Sequence, residues 1–163
     1  MEIRFRPAGA QDVPALHWAL TQLSQDLGDR HVAGEADLMR AGFGTDPAFG
    51  ALLAAAGPPV AARTGGASLF SPVFSSVRGA AGVSLADLWV AADVGGQRLG
   101  QRLLAAVLQE AQSRWDARFL KLNVYDDSPD ARRFYDRLGF KPAVSQTEMI
   151  LDEAGCAALR GET

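Results

Sequence analysis

Cysteine, histidine and long apolar runs are what this sequence has least of. It contains one cysteine, Cys156, which excludes an intrachain disulfide and a zinc cluster built from thiolates. The two histidines, His17 and His31, lie too far apart for metal-ligand spacing, so we predict no metal site. No apolar run is long enough to span a bilayer, and the first residues lack the apolar region of a signal peptide. We therefore expect a cytoplasmic protein without a membrane partner.

Strong positive charge is also missing. The 163 residues carry 16 Lys and Arg against 19 Asp and Glu, and no basic run stands out. Nucleic-acid binding driven by phosphate neutralisation is therefore not expected. The hydrophobic fraction of 48% is ordinary for a globular protein, and the length suffices for one domain with a core. We predict a single domain over residues 1–163.

Apolar periodicity predicts a mixed α/β domain. The predicted elements are a strand at 3–6, helices at 13–27 and 35–41, strands at 49–56, 60–74 and 83–91, a helix at 99–115, a strand at 119–124, a helix from 129, a strand at 141–151 and a helix at 153–159. Alanines in 49–56 keep a helix open there. Gly65-Gly66 and Pro72 interrupt the next strand and predict a bulge or bend.

Helix boundaries are marked by capping residues. Asp12 is suited to cap or charge the start of the first long helix, and Gly28 ends its apolar stripe. Ser128 is a strong N-cap candidate, with Pro129 at the first helical position. Gly139 is suited to close that helix in a left-handed conformation.

The segment from Leu85 to Phe140 is the most informative part of the sequence. An apolar strand leads into the glycine turn Gly95–Gly100, which opens a helix and offers backbone N–H groups to a phosphate. A nucleoside-triphosphate loop would need Lys and Ser/Thr after Gly100, where Gln101-Arg102 stands instead. The glycine spacing also differs from the dinucleotide-binding fingerprint. Tyr135, on the helix after the next strand, offers a phenolic proton.

A third kind of phosphate loop fits these residues. Leu88-Trp89-Val90, Gly100–Leu104 and the Ala131…Phe134-Tyr135…Gly139-Phe140 block resemble the GNAT superfamily of acyl-coenzyme A-dependent N-acetyltransferases. The order of strands and helices agrees over nearly the whole chain. Phe49–Leu53 and the Leu85–Leu88 segment are most similar to the diamine and spermidine acetyltransferase branch.

The resemblance implies a GNAT-like single domain, with a mixed, mostly antiparallel sheet splayed at the cofactor site and helices on both faces. It implies transfer of an acetyl group from acetyl-CoA to a primary amine of a small molecule, by direct attack in a ternary complex. Tyr135 takes the position of the acid that protonates the leaving thiolate, and Asp87 is our candidate for the base. The cofactor-binding positions it implies are Leu88, Trp89, Val90, Gly95, Gly96, Gln97, Arg98, Leu99, Gly100, Gln101, Ser128 and Arg132.

The sequence also departs from the family pattern. Gly95 replaces a basic or amide residue, Arg98 replaces a glycine, and Ser128 replaces an asparagine. Arg98 is able to return the lost charge to the phosphates. Ala86 stands where the polyamine branch carries Glu, which removes one ammonium contact. These departures leave two alternatives open, a catalytically drifted coenzyme-binding module and an acetyltransferase of protein termini or lysines. Relatives are often dimers, so a homodimer is also open.

Overall fold

Ile3 and Phe5 alternate with polar neighbours, and this segment forms the first strand of a five-stranded sheet. A computed structural model describes residues 1–94, 96 and 98–162. The strands are β1 (Ile3–Pro7), β2 (Gly50–Ala56), β3 (Arg63–Ser75), β4 (Ala80–Val90) and β5 (Leu120–Leu122). The helices are α1 (Val13–Leu27), α2 (Glu35–Gly42), α3 (Leu99–Trp115), α4 (Pro129–Arg137) and α5 (Glu153–Leu159). None of the helices in this described part has the length and apolar character needed to cross a bilayer.

The sheet has the order β1-β2-β3-β4-β5. The first four strands pair antiparallel, and β5 pairs parallel to β4. The predicted mixed, mostly antiparallel sheet is therefore confirmed. Contacts divide the chain into two compact units, Met1–Asn123, which holds the sheet and α1 to α3, and a second unit from Val124, which holds α4 and α5.

The apolar stripe of α1 anchors that helix to the sheet. Val13, Leu16 and Leu20 are each at most 5% exposed, and they belong to the main core cluster. Gly28 ends the helix with φ of +74°, which a glycine adopts without steric cost. Asp12 precedes the helix, but its side chain makes no cap bond to α1. It accepts instead from the N–H of Gly9 at 2.8 Å.

Helices cover both faces of the sheet, as predicted. On one face, the Phe70 ring of β3 meets Trp115 of α3 with centroids 6.1 Å apart. On the other face, Trp89 of β4 meets Trp18 of α1 edge to face at 5.3 Å. Side chains of β4 therefore lie on the side of α3 or on the side of α1, depending on the face to which each one points.

Two bulges interrupt the sheet register. Between β2 and β3, Ala54 pairs with Gly66 and Ala55 with Thr64, which leaves Gly65 as the extra residue. This confirms the bulge predicted at the glycine pair. Between β3 and β4, Leu69 pairs with Asp87 while Phe70 pairs with Leu85. The second bulge, at Ala86, was not predicted.

The second unit corrects two expectations. The segment 141–151, predicted as a strand, contains none, and Val144, Met149 and Ile150 are between 83% and 89% exposed. A strand needs a neighbour for its backbone groups, and the described residues of this unit pair none with it. Ser128 does precede α4, and its carbonyl accepts from the N–H of Arg132, but its side chain makes no cap bond. Gly139 follows the helix with φ of +93°, as predicted.

Candidate active site

β4 extends beyond its neighbour β5, which leaves one backbone edge of its second half unpaired by that strand. β5 pairs with β4 only from Val83 to Leu85. The N–H of Ala91 donates to the carbonyl of Gly65 at 2.9 Å. Backbone direction alternates along an antiparallel pair, so Trp89 also bonds towards β3, while Leu88 and Val90 direct their N–H and C=O groups away from it. The divergence after Leu85 is the predicted splay, and β5 does not pair with these groups.

The loop after β4 is anchored at its base. Asp93 forms an ion pair with Arg63 at the start of β3, with an N···O distance of 2.7 Å. Val94 is buried, and its N–H donates to the carbonyl of Ala91 at 3.1 Å. These contacts fix the position at which the glycine turn leaves the sheet. Gly95 and Gln97, predicted to bind the cofactor, lie outside the described residues.

The start of α3 presents backbone donors. The first helical bond runs from the N–H of Arg102 to the carbonyl of Arg98 at 2.9 Å. The N–H groups of Leu99, Gly100 and Gln101 precede that bond and have no acceptor within the helix. They share the positive end of a 17-residue helix, which is suited to hold a phosphate.

Arg98 occupies a backbone conformation that favours glycine. Its φ and ψ are 52° and 37°, which place it in the left-handed region directly before α3. Gly96 has φ of +109°, which is likewise glycine-like. Position 98 thus has a backbone conformation typical of glycine but carries the exposed side chain of Arg98. It lies one residue before the N–H donors of α3.

Asp87 lies on the face of β4 that α1 covers. Its partner Leu69 packs against the core cluster of α1, and Trp89 follows two residues later on the same face. Burial raises the pKa of Asp87; nearby His31 lowers it, and Asp29 raises it further. Among the described residues, no hydrogen bond or ion pair engages the carboxylate. A half-buried carboxylate without a protein partner is suited to receive an ammonium group or its proton.

Aromatic and polar side chains of α1 contact Trp89, two residues beyond Asp87. The indole Nε1 of Trp89 donates to Asp26 Oδ2 at 3.2 Å. Trp18, half exposed, stacks edge-on against the same indole. His31 lies in the connection between α1 and α2. Only the tertiary packing indicates its influence on Asp87.

The second unit carries the other predicted site residues on or beside α4. Tyr135 lies between the rings of Phe134 and Phe140, with centroids 5.0 and 5.3 Å away. Burial raises the pKa of its phenol, so the group holds its proton over a wider pH range. Arg132, one turn earlier, pairs with Asp136 at 3.1 Å. The structure therefore brings Ser128, Arg132 and Tyr135 together within this unit, and Asp87 together with the β4 edge and α3 within the other.

No group of three or more metal-ligating side chains occurs in the described residues. In the first unit, the backbone N–H groups and the guanidinium of Arg98 suit a phosphorylated ligand, and the carboxylate of Asp87 suits an amine. In the second unit, the phenol of Tyr135 is suited to donate a proton.

Comparisons with known proteins agree with this chemistry. Residues 44–140 match the profile of the acetyltransferase (GNAT) family, which is more than half of the chain. No curated protein sequence matches. An integron cassette protein from the mobile metagenome of V. cholerae has a similar structure, with a TM-score of 0.76, 16% identity and 98% coverage of both chains.

Two further solved structures with the same fold are enzymes by their descriptions. An aminoglycoside acetyltransferase from an uncultured soil metagenomic sample has a TM-score of 0.73 and 14% identity, over 93% of this chain and 100% of its own. A ribosomal-protein-alanine N-acetyltransferase from Brucella melitensis biovar Abortus 2308 has a TM-score of 0.69 and 17% identity, over 93% and 99%. At these identities the likeness concerns the fold.

Proposed function

Because this chain belongs to the GNAT family of acetyltransferases, we propose that it transfers an acetyl group from acetyl-CoA to a primary amine of a small molecule, by direct attack in a ternary complex. One observation carries the proposal: the part of β4 that β5 does not pair precedes α3 in the chain, the first N–H groups of α3 have no acceptor within the helix, and Asp87 lies on the same strand. The backbone groups proposed to bind the cofactor and the carboxylate proposed to meet the amine thereby lie on one continuous segment of the chain.

The residues of the first unit fit the parts of the coenzyme in order. The outward N–H and C=O groups of Leu88 and Val90, on either side of Trp89, would pair with the amide-containing pantetheine arm. The N–H groups of Leu99, Gly100 and Gln101 would hold the pyrophosphate. The full proposed set also includes Gly95, Gly96, Gln97, Arg98, Ser128 and Arg132. Acetyl-CoA supplies the activated acetyl group when it is bound.

Proton transfer is assigned to two side chains. An ammonium group must lose a proton before its nitrogen attacks, and Asp87, whose pKa burial raises, would receive that proton directly or through water. The new C–N bond replaces the C–S bond, and the departing sulfur takes the phenolic proton of Tyr135. The raised pKa of Tyr135 keeps that proton available under mildly alkaline conditions.

The acceptor class follows from charge. Asp87 has no cationic side chain bonded to it among the described residues, and Asp29 adds negative charge nearby. A cationic amine would relieve the cost of keeping this carboxylate half buried. A carboxylate next to the reacting amine, as in a free amino acid, would be repelled. We therefore expect amines such as aminoglycosides or diamines to be better acceptors than free amino acids.

Two substitutions of the same kind test cofactor binding. Gln101→Glu adds a carboxylate at the first turn of α3, and Gln109→Glu makes the same change two turns further along the same helix, where the side chain is also exposed. We expect Gln101→Glu to weaken acetyl-CoA binding at least about tenfold through repulsion of phosphate, and Gln109→Glu to leave it unchanged. Isothermal titration calorimetry measures both.

Turnover is tested by release of free coenzyme A over a panel of diamines, aminoglycosides, amino acids and peptides. Release with a cationic small amine supports the proposal. Preferred turnover of a peptide would assign the chain to protein acetylation. Acetyl-CoA binding without turnover on any amine would indicate a coenzyme-binding module, and absence of binding would overturn the proposal altogether.

A further inference from the structure

His31 uses both nitrogens of its ring to hold the connection between α1 and α2. Nε2 lies 2.7 Å from the carbonyl oxygen of Ala33. A carbonyl only accepts, so Nε2 carries the hydrogen and donates it. Nδ1 lies 3.0 Å from Oγ of Ser24 on α1, and in the neutral ring it accepts the hydroxyl hydrogen. One side chain thus ties the loop 28–34 to the last turns of α1.

The ring is also packed on its side. The His17 ring of α1 meets it at an angle of 61°, with centroids 5.4 Å apart. Residues 29–34 form neither a helix nor a strand, so they lack the regular backbone hydrogen bonds of those elements. The N–H of Asp29 bonds the carbonyl of Ser24 at 2.8 Å and the N–H of Gly34 bonds the Asp37 carboxylate at 2.9 Å, so backbone donors hold the two ends and His31 holds the middle.

The connection held in this way lies near Asp87. The end of α1 that carries Ser24 also carries Asp26, which accepts from Trp89, and Trp89 is two residues from Asp87 on one face of β4. The electrostatic influence of His31 and Asp29 on Asp87 agrees with this placement. The groups around the carboxylate are thus contributed by β4, by α1 and by this loop.

We infer that His31 is a positioning residue for the acceptor amine, which holds the loop 28–34 as one wall of the acceptor site beside Asp87. The inference rests on the proposed function, because Asp87 is the group that meets the amine there. Both ring nitrogens bond within the loop and α1, so we assign His31 no direct contact with the amine. It acts through the loop, and its loss affects amine binding more than the chemical step.

Three variants separate this role from a purely structural one. His31→Ala removes both bonds, Ser24→Ala removes the one to Nδ1, and His31→Gln offers an amide whose oxygen and nitrogen can take over both. With the best amine from the panel, we expect KM for the amine to rise about tenfold in His31→Ala and about threefold in Ser24→Ala. His31→Gln should restore KM to within about twofold, and kcat should change by less than about twofold in all three.

His17→Ala is the matched control, since it removes a neighbouring imidazole that makes the ring contact but bonds neither Ser24 nor Ala33. It should leave KM for the amine near wild type. The affinity for acetyl-CoA should be unchanged in every variant. Should His31→Ala not fold, the Ser24→Ala and His31→Gln pair decides.

The outcomes distinguish this inference from the function on which it rests. Wild-type protein without turnover on any amine overturns both. Wild-type turnover with an unchanged KM in His31→Ala overturns the positioning role alone. An equal loss of acetyl-CoA affinity in His31→Ala, or a fall in kcat without a change in KM, also overturns it, because the loop would then serve the fold or the chemistry instead.

Discussion

Leu85 and Asp87 lie two residues apart on β4 and face opposite sides of the sheet. Leu85 pairs with Phe70, whose ring meets Trp115 of α3, while Asp87 pairs with Leu69 on the side of α1. In a regular strand, residues two apart share a face. The bulge at Ala86 reverses the alternation at this point. It moves a carboxylate out of the apolar layer under α3 and onto the side of the sheet that α1 covers.

Asp87→Asn should separate function from stability. Burial raises the pKa of Asp87 above its unfolded value, so the fold gains stability as the pH falls through the folded pKa and bears a cost when the group is ionised. Asparagine removes that cost, and we expect the free energy of unfolding at pH 7 to rise by about 0.5–1 kcal/mol. The value of kcat/KM should fall by about two orders of magnitude.

Asp46→Asn is a suitable comparison, because Asp46 is an exposed carboxylate of the same unit. It should change neither quantity. Chemical denaturation and steady-state kinetics measure both variants. A destabilised Asp87→Asn protein with full turnover would show that Asp87 is a structural residue.

Tyr135→Phe removes the phenolic proton and keeps the ring between Phe134 and Phe140. We expect kcat to fall by about two to three orders of magnitude, and the affinity for acetyl-CoA to stay within about twofold. Tyr125→Phe makes the same change at the other tyrosine of the chain and should retain turnover. Pre-steady-state kinetics at saturating acetyl-CoA measure both, and equal activity of the two variants would remove Tyr135 from the mechanism.

Local signals predicted the elements whose pattern is short-range. The spacing of Val13, Leu16 and Leu20 gave the helix α1, and Gly28 gave its end, because both depend on contacts within a few residues. The alanine-rich segment 49–56 left helix and strand open. Pairing on both sides, with β1 and β3, makes it a strand.

What the sequence did not reveal depends on register and partners. The bulge at Ala86 is a mismatch between two strands and has no signature within either of them. The segment 141–151 alternates well enough for a strand, but the described residues of its unit offer no neighbour. The surroundings of Asp87 likewise combine β4, α1 and a loop, and only the tertiary fold brings these together.

Arg98→Gly should stabilise the fold and weaken cofactor binding. Glycine adopts a φ of 52° without the steric cost that arginine bears, so we expect the free energy of unfolding to rise by about 1 kcal/mol. Loss of the guanidinium should weaken acetyl-CoA binding by about fivefold or more, if it contacts the phosphates as proposed. Arg98→Gln keeps the strained backbone without the charge, and should weaken binding without a gain in stability.

Asp116→Gly is the matched control for the backbone effect. Asp116 has φ and ψ of 52° and 39°, nearly those of Arg98, and follows the other end of the same helix. Its ion pair with Arg118 is exposed and contributes little. The variant should gain similar stability with unchanged acetyl-CoA affinity. Unchanged affinity in both Arg98 variants would show that this arginine does not contact the cofactor.

The pair of Arg6 and Asp12 should make stability depend on acid pH. Two hydrogen bonds of 2.7 Å join the guanidinium to the carboxylate, which also accepts from Gly9 and is 10% exposed. The bonds from Arg6 are the main cause that lowers the pKa of Asp12. A lowered folded pKa contributes stability above the unfolded value of about 3.9, and this contribution is lost as the pH falls towards the folded pKa. Asp12→Asn should therefore cost about 1–3 kcal/mol at pH 7, with the difference from wild type shrinking below about pH 4.

Asp37 accepts the same kinds of hydrogen bond as Asp12, but its side chain is more exposed. It accepts from the N–H of Gly34 at 2.9 Å and from Arg40 at 2.7 Å, but its side chain is 52% exposed. Water competes for these bonds, so Asp37→Asn should destabilise the fold less than Asp12→Asn at every pH. Urea denaturation of both variants between pH 3 and pH 7 measures the difference, since this window spans the unfolded pKa. Equal losses in the two variants would mean that burial does not strengthen the Arg6–Asp12 pair.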